Sequence, residues 1–333
     1  MPSKHKFDLT KHSTRRTCTT GYRQMVSSRT FPSLHTMALA TIVLKKNGVR
    51  EPHWHPNANE LTYCVEGKAL VTLFHPGNIR ERFLLEAGDV MHVPKGTMHH
   101  IENIHQGTSR FVLAFDHSNP EDLDLSQSVS SMSPHVLSAT FGEKHFPNLP
   151  LDDVFIARMQ YPHKIPPSTR SPHKLSLEQI KPQIRTAGGL ARTATRKNFP
   201  TLEHLALFSL RLAKRGIREP HWHPNATELN LVVKGKARIT VLSPGGDVDT
   251  FELRTNQGSI IPSGYFHHIE NMGPGELHMT VFFDHAQPSD IGLSGALSAY
   301  SPEVLASVFS TKPEVFADLH HFTKDRMIVP GGG

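Results

Sequence analysis

Only two cysteines occur in 333 residues, Cys18 in a polar tail and Cys64 within an apolar strand pattern. That scarcity excludes a disulfide framework and fits a reducing, cytoplasmic setting. No apolar run approaches the roughly 20 residues of a membrane span, so no membrane partner is expected. The first residues lack the apolar stretch of a secretory signal. A net charge of +6 invites a nucleic-acid reading. The basic residues are scattered, however, and none is expected. The densest basic stretch, residues 1–30, holds Lys, Arg, Ser and Thr with one acid, Asp8. It reads as a solvated tail, with a transit peptide or polyanion-binding arm as alternatives. A basic surface would also steer a small anionic substrate. Histidine, by contrast, is abundant at 24 residues, which points to metal chemistry or pH sensing.

The chain repeats itself. Residues 48–60 read GVREPHWHPNANE and residues 216–228 read GIREPHWHPNATE, an offset of 168. The same offset relates Phe31-Pro32 to Phe199-Pro200, Gly67-Lys68-Ala69 to Gly235-Lys236-Ala237, and His99–Asn103 to His267–Asn271. It also relates Asp116-His117 to Asp284-His285 and Ser133-Pro134 to Ser301-Pro302. A period this long is a duplicated domain, not a solenoid. The expected organisation is a tail at 1–20, a domain at 21–142, a proline-rich arm at 143–188, a second domain at 189–320 and a tail at 321–333. The arm should hold one short strand, Val154-Phe155-Ile156.

Within each copy, short apolar runs lie between turn residues, as in Leu39 to Leu44, Glu60 to Val65 and Phe111 to Phe115. Such a pattern predicts an all-β fold with minor α content, built as two tandem jelly-roll β-barrels. A helical stretch follows each barrel, Ser133–Phe141 and Ser301–Phe309. Each opens on Ser-Pro, an N-cap followed by proline at the first helical position.

In the first copy His53 and His55 stand two apart, so on a strand they share a face. Glu60 follows a Pro-Asn-Ala-Asn turn that can bring it back, and His99 comes later. The second copy offers His221, His223, Glu228 and His267 at identical spacing. One His-x-His would usually just decorate a strand. A four-residue pattern occurring twice in one chain is a metal-ligand set. Three imidazoles and one carboxylate suit Mn, Fe, Co, Ni or Zn and leave open positions for water, dioxygen or a bidentate acid. His75, His92, His105 and His117 lack a partnered pattern. His100 and His268 should face the opposite side of their strands, and Trp54 and Trp222 should face away as core residues.

These residues fit the cupin signatures. His-x-His-x4-Glu-x6-Gly matches both copies, and Gly-x5-Pro-x-Gly-x2-His-x3-Asn matches Gly88 through Asn103. In the second copy Asn256 takes the expected glycine position, so the turn there should differ. Arg-Glu-x-His-Trp-His-x-Asn-Ala, Gly-Lys-Ala-Arg-Ile-Thr-Val from Gly235, and the Gly188–Pro200 segment resemble the bicupin oxalate decarboxylases, over about residues 21–320. The resemblance implies Mn at two sites per chain, dioxygen as co-substrate, and conversion of oxalate, a small dicarboxylate, to formate and carbon dioxide. It implies a homo-oligomer, a trimer or hexamer. It also places the substrate-side arginine on Arg50 and Arg218, which otherwise read as surface arginines. A guanidinium there would hold a metal-bound carboxylate.

One departure matters. The family carries a lid with a Ser-Glu-Asn segment whose glutamate donates a proton. Here the segment reads His117-Ser118-Asn119-Pro120-Glu121-Asp122-Leu123 and is about three residues shorter. Glu121 or Asp122 is the replacement candidate at the first site, with Glu121 preferred, and Asp290 is the candidate at the second. Each otherwise reads as a solvated loop acid. The shortened lid keeps three other readings open. One is an oxalate oxidase like the germins, another is a different cupin dioxygenase with Fe. The third is a non-catalytic bicupin that binds metal and a small acid or sugar.

Overall fold

The computed structural model describes residues 3–142, 154–161 and 163–332. It forms two units, one of Lys11–Gln179 with Arg196–Leu205, the other of Met1–Thr10, Ile180–Thr195 and Ala206–Gly333. Each unit is a pair of antiparallel sheets closed over one apolar core, the predicted jelly-roll architecture. Among the described residues no helix is long and apolar enough to cross a membrane.

In the first barrel one sheet runs Leu123–Asp124, Gly48–Trp54, Met98–Asn103, Lys68–His75, Ile79–Glu86. The other runs Lys174–Leu175, Val90–Val93, Glu60–Glu66, Ser109–Phe115, Ala38–Leu44, Gly21–Val26, Thr14–Cys18. Leu73, Phe83, Met91, Phe111 and Phe115 fill the space between them. The second barrel repeats this, with Val241, Phe251, Ile261, Met279 and Phe283 inside. The two Ser-Pro helices form as expected, Pro134–Phe141 and Pro302–Val308, each with the serine oxygen accepting from a backbone N–H three residues on.

Both presumed tails are structured. Thr14–Cys18 is an edge strand of the first barrel, and Lys6–Asp8 pairs with Gln257–Ile261 in the second. Ile328–Pro330 pairs with Gly216–Arg218. These strands read as tail because an edge strand meets solvent on one face and needs few apolar residues. Of residues 6–8 only Phe7 points inward, fully buried.

The duplication therefore starts earlier than residue 21. Ser3-Lys4-His5-Lys6 stands 168 residues before Ser171-Pro172-His173-Lys174. The pairing is exchanged: Lys6–Asp8 joins the second barrel and Lys174–Leu175 the first. Residues 143–153 of the expected arm lie outside the described residues. The arm's strand is Ile156–Arg158, with Phe155 just before it at φ +56°. Asn256 holds the turn that Gly88 holds in the first copy, at φ +69° and +90°. The turn is thus kept rather than altered, because asparagine tolerates the left-handed region.

Candidate metal centres

His53 lies on Gly48–Trp54 and His55 just past its end, and His99 lies on Met98–Asn103, where it pairs directly with His53. A bulge between His99 and Ile101 adjusts the register there. Glu60 opens the facing strand, opposite Phe115 and Val93. All four side chains are buried, with donor atoms within 4.8 Å of one another. His55 Nε2 is 2.9 Å and His99 Nε2 3.5 Å from Glu60 Oε2.

Backbone carbonyls orient the rings. His53 Nδ1 lies 2.8 Å from Glu51 O, His55 Nδ1 3.0 Å from Glu121 O, and His99 Nδ1 3.1 Å from Thr97 O. A carbonyl only accepts, so each Nδ1 carries a hydrogen, and each Nε2, once free of its proton, turns its lone pair to the centre. Thr62 Oγ1 donates to Glu60 Oε1 at 2.6 Å, leaving Oε2 for the histidines.

The second set is built alike. His221, His223 and His267 donate from Nδ1 to Glu219 O, Ser289 O and Tyr265 O at 2.7, 2.8 and 2.8 Å. Asn230 replaces Thr62 as the donor to the carboxylate, Glu228. His99 Nε2 and His221 Nε2 are buried without a hydrogen-bond partner. A buried orphan of this kind costs about 1–3 kcal/mol, which a bound cation removes. Both donor sets therefore fit a divalent metal with one imidazole nitrogen from each histidine and one carboxylate oxygen.

Arg50 is fully buried. Its guanidinium meets Asp124 Oδ1 at 2.6 Å, Asp122 Oδ2 at 3.3 Å and Phe155 O at 3.2 Å, and lies over the Phe155 ring. Asp122 also accepts from Arg23, and its Oδ1 lies 3.0 Å from His55 Nδ1. Burial would raise the Asp122 carboxyl, but His55, Arg23 and Arg50 outweigh it and hold it well below the usual carboxylate range.

The lid residue that reaches the donor set is thus Asp122, not Glu121. The Glu121 side chain is exposed, and only its carbonyl serves the site. Pro120 and the pairing of Leu123-Asp124 with His53-Trp54 fix the loop so that residues 122 and 124 face inward. A spacing signal existed: 168 residues on, Glu121 corresponds to Ser289 and Asp122 to Asp290. Asp290, the acid expected at the second site, pairs with Arg218.

Sequence reasoning also missed Glu51 and Glu219. Glu51 accepts from Phe155 N–H at 2.6 Å and from Ser126 N–H, tying the short helix Leu125–Ser130 and the arm to the strand that carries Arg50. Trp54 and Trp222 do face away from the donor sets, yet they sit half-buried on the outer face, not in a core.

The two sites differ around this shared frame. The first has Arg16, Arg23 and Asp124 nearby; at the same offset the second has Ile184, Ala191 and Gly292. A cavity of about 20 Å³ beside the second site is lined by Arg218, His223 and apolar side chains such as Phe208, Met327 and Ile328. That is room for about one water. Asp122 and Glu121 border a surface depression of about 530 Å³ beside the first.

Two jelly-roll barrels, each with an inward set of three histidines and a glutamate, define a duplicated metal-binding β-barrel protein. The chain belongs to the cupin family, whose profile matches residues 11–146 and 175–316. It is 27% identical over 311 residues to oxalate decarboxylase OxdC of Bacillus subtilis, covering 90% of this chain and 80% of that protein. A probable oxalate decarboxylase of Arthroderma benhamiae is 26% identical, covering 86% and 74%. The solved structure of the Bacillus subtilis oxalate decarboxylase at pH 4.6 superposes with a TM-score of 0.91 at 25% identity, over 100% of this chain and 89% of that one. Another structure of that enzyme was studied for its Mn(II) centres.

Proposed function

We propose that this chain is a manganese-dependent oxalate decarboxylase that turns over at its first site. His53, His55, Glu60 and His99 would hold one Mn, and His221, His223, Glu228 and His267 the other. The observation that carries the reading is Asp122, which joins His55 of the donor set to Arg50 and Arg23. The bound metal, with dioxygen, would supply the one-electron chemistry that weakens the C–C bond.

The reaction takes the oxalate monoanion to carbon dioxide and formate. The C–C bond breaks, the carboxyl proton leaves oxygen, and a C–H bond forms on the carbon that keeps the electron pair. Asp122 suits both proton steps. Arg23 and Arg50 lie against Asp122 and favour its ionised form, so it can accept the substrate proton. A substrate carboxylate that engages Arg50 takes that cation from Asp122, and the Asp122 affinity for the proton rises. The same group then returns the proton to carbon as a general acid. At the second site the small apolar cavity favours a structural role for Arg218 and Asp290.

Mn-loaded protein supplied with oxalate should yield formate and carbon dioxide in equal amounts. Peroxide with two carbon dioxide per oxalate, or no product, would refute this reading.

Self-assembly into a trimer or hexamer belongs to the same proposal. Val136 and Phe141 sit exposed at the post-barrel helix of the first unit, and Val304, Val308 and Phe309 at that of the second, each an apolar face that a second copy would cover. Light scattering on the eluted protein should give a mass three or six times that of the chain.

A further inference from the structure

A third cluster of metal-ligating side chains lies in the first barrel, away from the cupin donor set. It consists of His75, Glu81 and His173, with ligand atoms all within 4.8 Å. His75 ends Lys68–His75 and Glu81 lies on Ile79–Glu86, joined by the Pro76-Gly77-Asn78 turn. The register pairs His75 with Ile79 and Leu73 with Glu81. The two residues are therefore diagonal neighbours on one face. That face is the core face, since Leu73 and Phe83 beside them are fully buried. The third member comes from the arm, where His173 O accepts from His92 N–H.

The geometry is that of a cation site more than of a hydrogen-bond network. His75 Nε2 is 3.1 Å from Glu81 Oε1, yet it makes no hydrogen bond and is buried. His173 Nδ1 is 3.2 Å from Glu81 Oε2, and Ser171 Oγ donates to that oxygen at 2.5 Å. Donors around a tetrahedral zinc stand about 3.3 Å apart, and one donor atom from each of the three residues already lies within 4.8 Å of the other two, so a side-chain adjustment closes the set. The His75 and His173 rings stack 4.9 Å apart. Behind them His92 is fully buried, its ring 6.3 Å from that of His173 and both ring nitrogens unpartnered. The three ligands are slightly exposed, at 16%, 18% and 13%, so a water can complete the sphere.

The duplication supplies an internal control. At the same offset the second copy has Ser243 for His75, Asp249 for Glu81, Ile260 for His92 and His5 for His173. There His5 Nδ1 bonds to Ile260 O at 3.0 Å, and Ser3 takes up Asp249. The second copy thus keeps the arm histidine and a shorter acid but lacks both barrel histidines, so the shared backbone has no need of His75 or His92.

From this we infer that His75, Glu81 and His173 form a third divalent-metal site, zinc-like in its donors and specific to the first barrel. A cation there clips the 171–175 arm to the barrel hairpin, linking residues 92 apart in the chain. It is distinct from the proposed catalytic centre and does not depend on what that centre binds.

The test is to incubate Mn-loaded full-length protein with Zn²⁺, desalt it, and count both metals per chain. His75→Ser, which copies the second barrel, and Glu81→Gln, which keeps volume, are treated in parallel. Wild type should hold one Zn more than either variant and show a zinc-dependent rise in thermal midpoint that both lack. Formate production by His75→Ser should match wild type. Equal zinc in wild type and in either variant of unchanged Mn content overturns the proposal.

Discussion

Asp122 Oδ1 lies 3.0 Å from His55 Nδ1, which couples the lid directly to the proposed metal centre. A lid acid that touched only solvent could move protons without affecting the donor set. Here one carboxylate faces a histidine donor and two arginines at once.

From this coupling, Asp122→Asn should lower kcat for formate production by about 10²–10⁴, the usual contribution of a positioned general acid–base group. Mn content should stay at two per chain. Glu121→Gln should stay near wild type, since its side chain is exposed. Steady-state kinetics with metal counts decide the matter, and the reverse ranking of the two variants would move the role back to Glu121.

Arg50 and Arg218 should respond differently to lysine. Arg50 faces two carboxylates and a carbonyl from a buried position, and lysine cannot reproduce that fork. Arg50→Lys should reduce kcat/KM by about 10²-fold or more, while Arg218→Lys should change it by less than about fivefold. Arg50→Ala should also destabilise by about 3 kcal/mol, because buried Asp124 loses its 2.6 Å partner and keeps only Arg16 at 3.8 Å. Comparable losses in the two lysine variants would argue for turnover at both sites.

The eight candidate donors were legible because three of each four follow local spacing, a two-residue step at a strand end and then a turn, and the fourth sits in a second motif that also repeats. Repetition then removed the chance reading. The lid acid was not legible in the same way. Glu121 and Asp122 are adjacent, and which one faces inward is set by pairing of Leu123-Asp124 with a strand about 70 residues earlier. The edge strands near the N-terminus were hidden for another reason. Lys6–Asp8 gains its partner from residues 257–259, and only Phe7 carries an apolar signal. His75, Glu81 and His173 meet only after the hairpin closes and the arm docks, so no sequence spacing marks them.

The buried N-terminal strand makes its own prediction. Phe7 is fully buried, and a Cβ on Gly258 would lie 2.3 Å from its ring. Glycine at 258 thus makes room for Phe7. Phe7→Ala should cost about 3–5 kcal/mol in denaturant unfolding, as other buried phenylalanines do. Gly258→Ala should be destabilising by a clash instead. Wild-type stability after removal of residues 1–9 would contradict the edge-strand role.

Metal uptake at the first site should be pH-dependent with a defined sign. Without metal, burial pushes the His55 imidazole down, but hydrogen bonds to Asp122 and Glu60 outweigh it and raise it to about 9. A raised value means His55 stabilises the metal-free fold fully below its unfolded 6.5 and loses that contribution as pH rises through about 9. The metal needs the neutral ring, so it competes with that proton. His53 offers no such competition, because burial and then Arg50 push it well below the usual range. Mn²⁺ binding at pH 7 should therefore release about one proton from the first site, and affinity should rise about tenfold per pH unit until about pH 9. Asp122→Asn removes one acceptor from His55, so its plateau should begin at lower pH. Competition titrations at pH 6, 7 and 8 with an indicator dye read both quantities, and a pH-independent affinity would remove Asp122 from the electrostatics of the site.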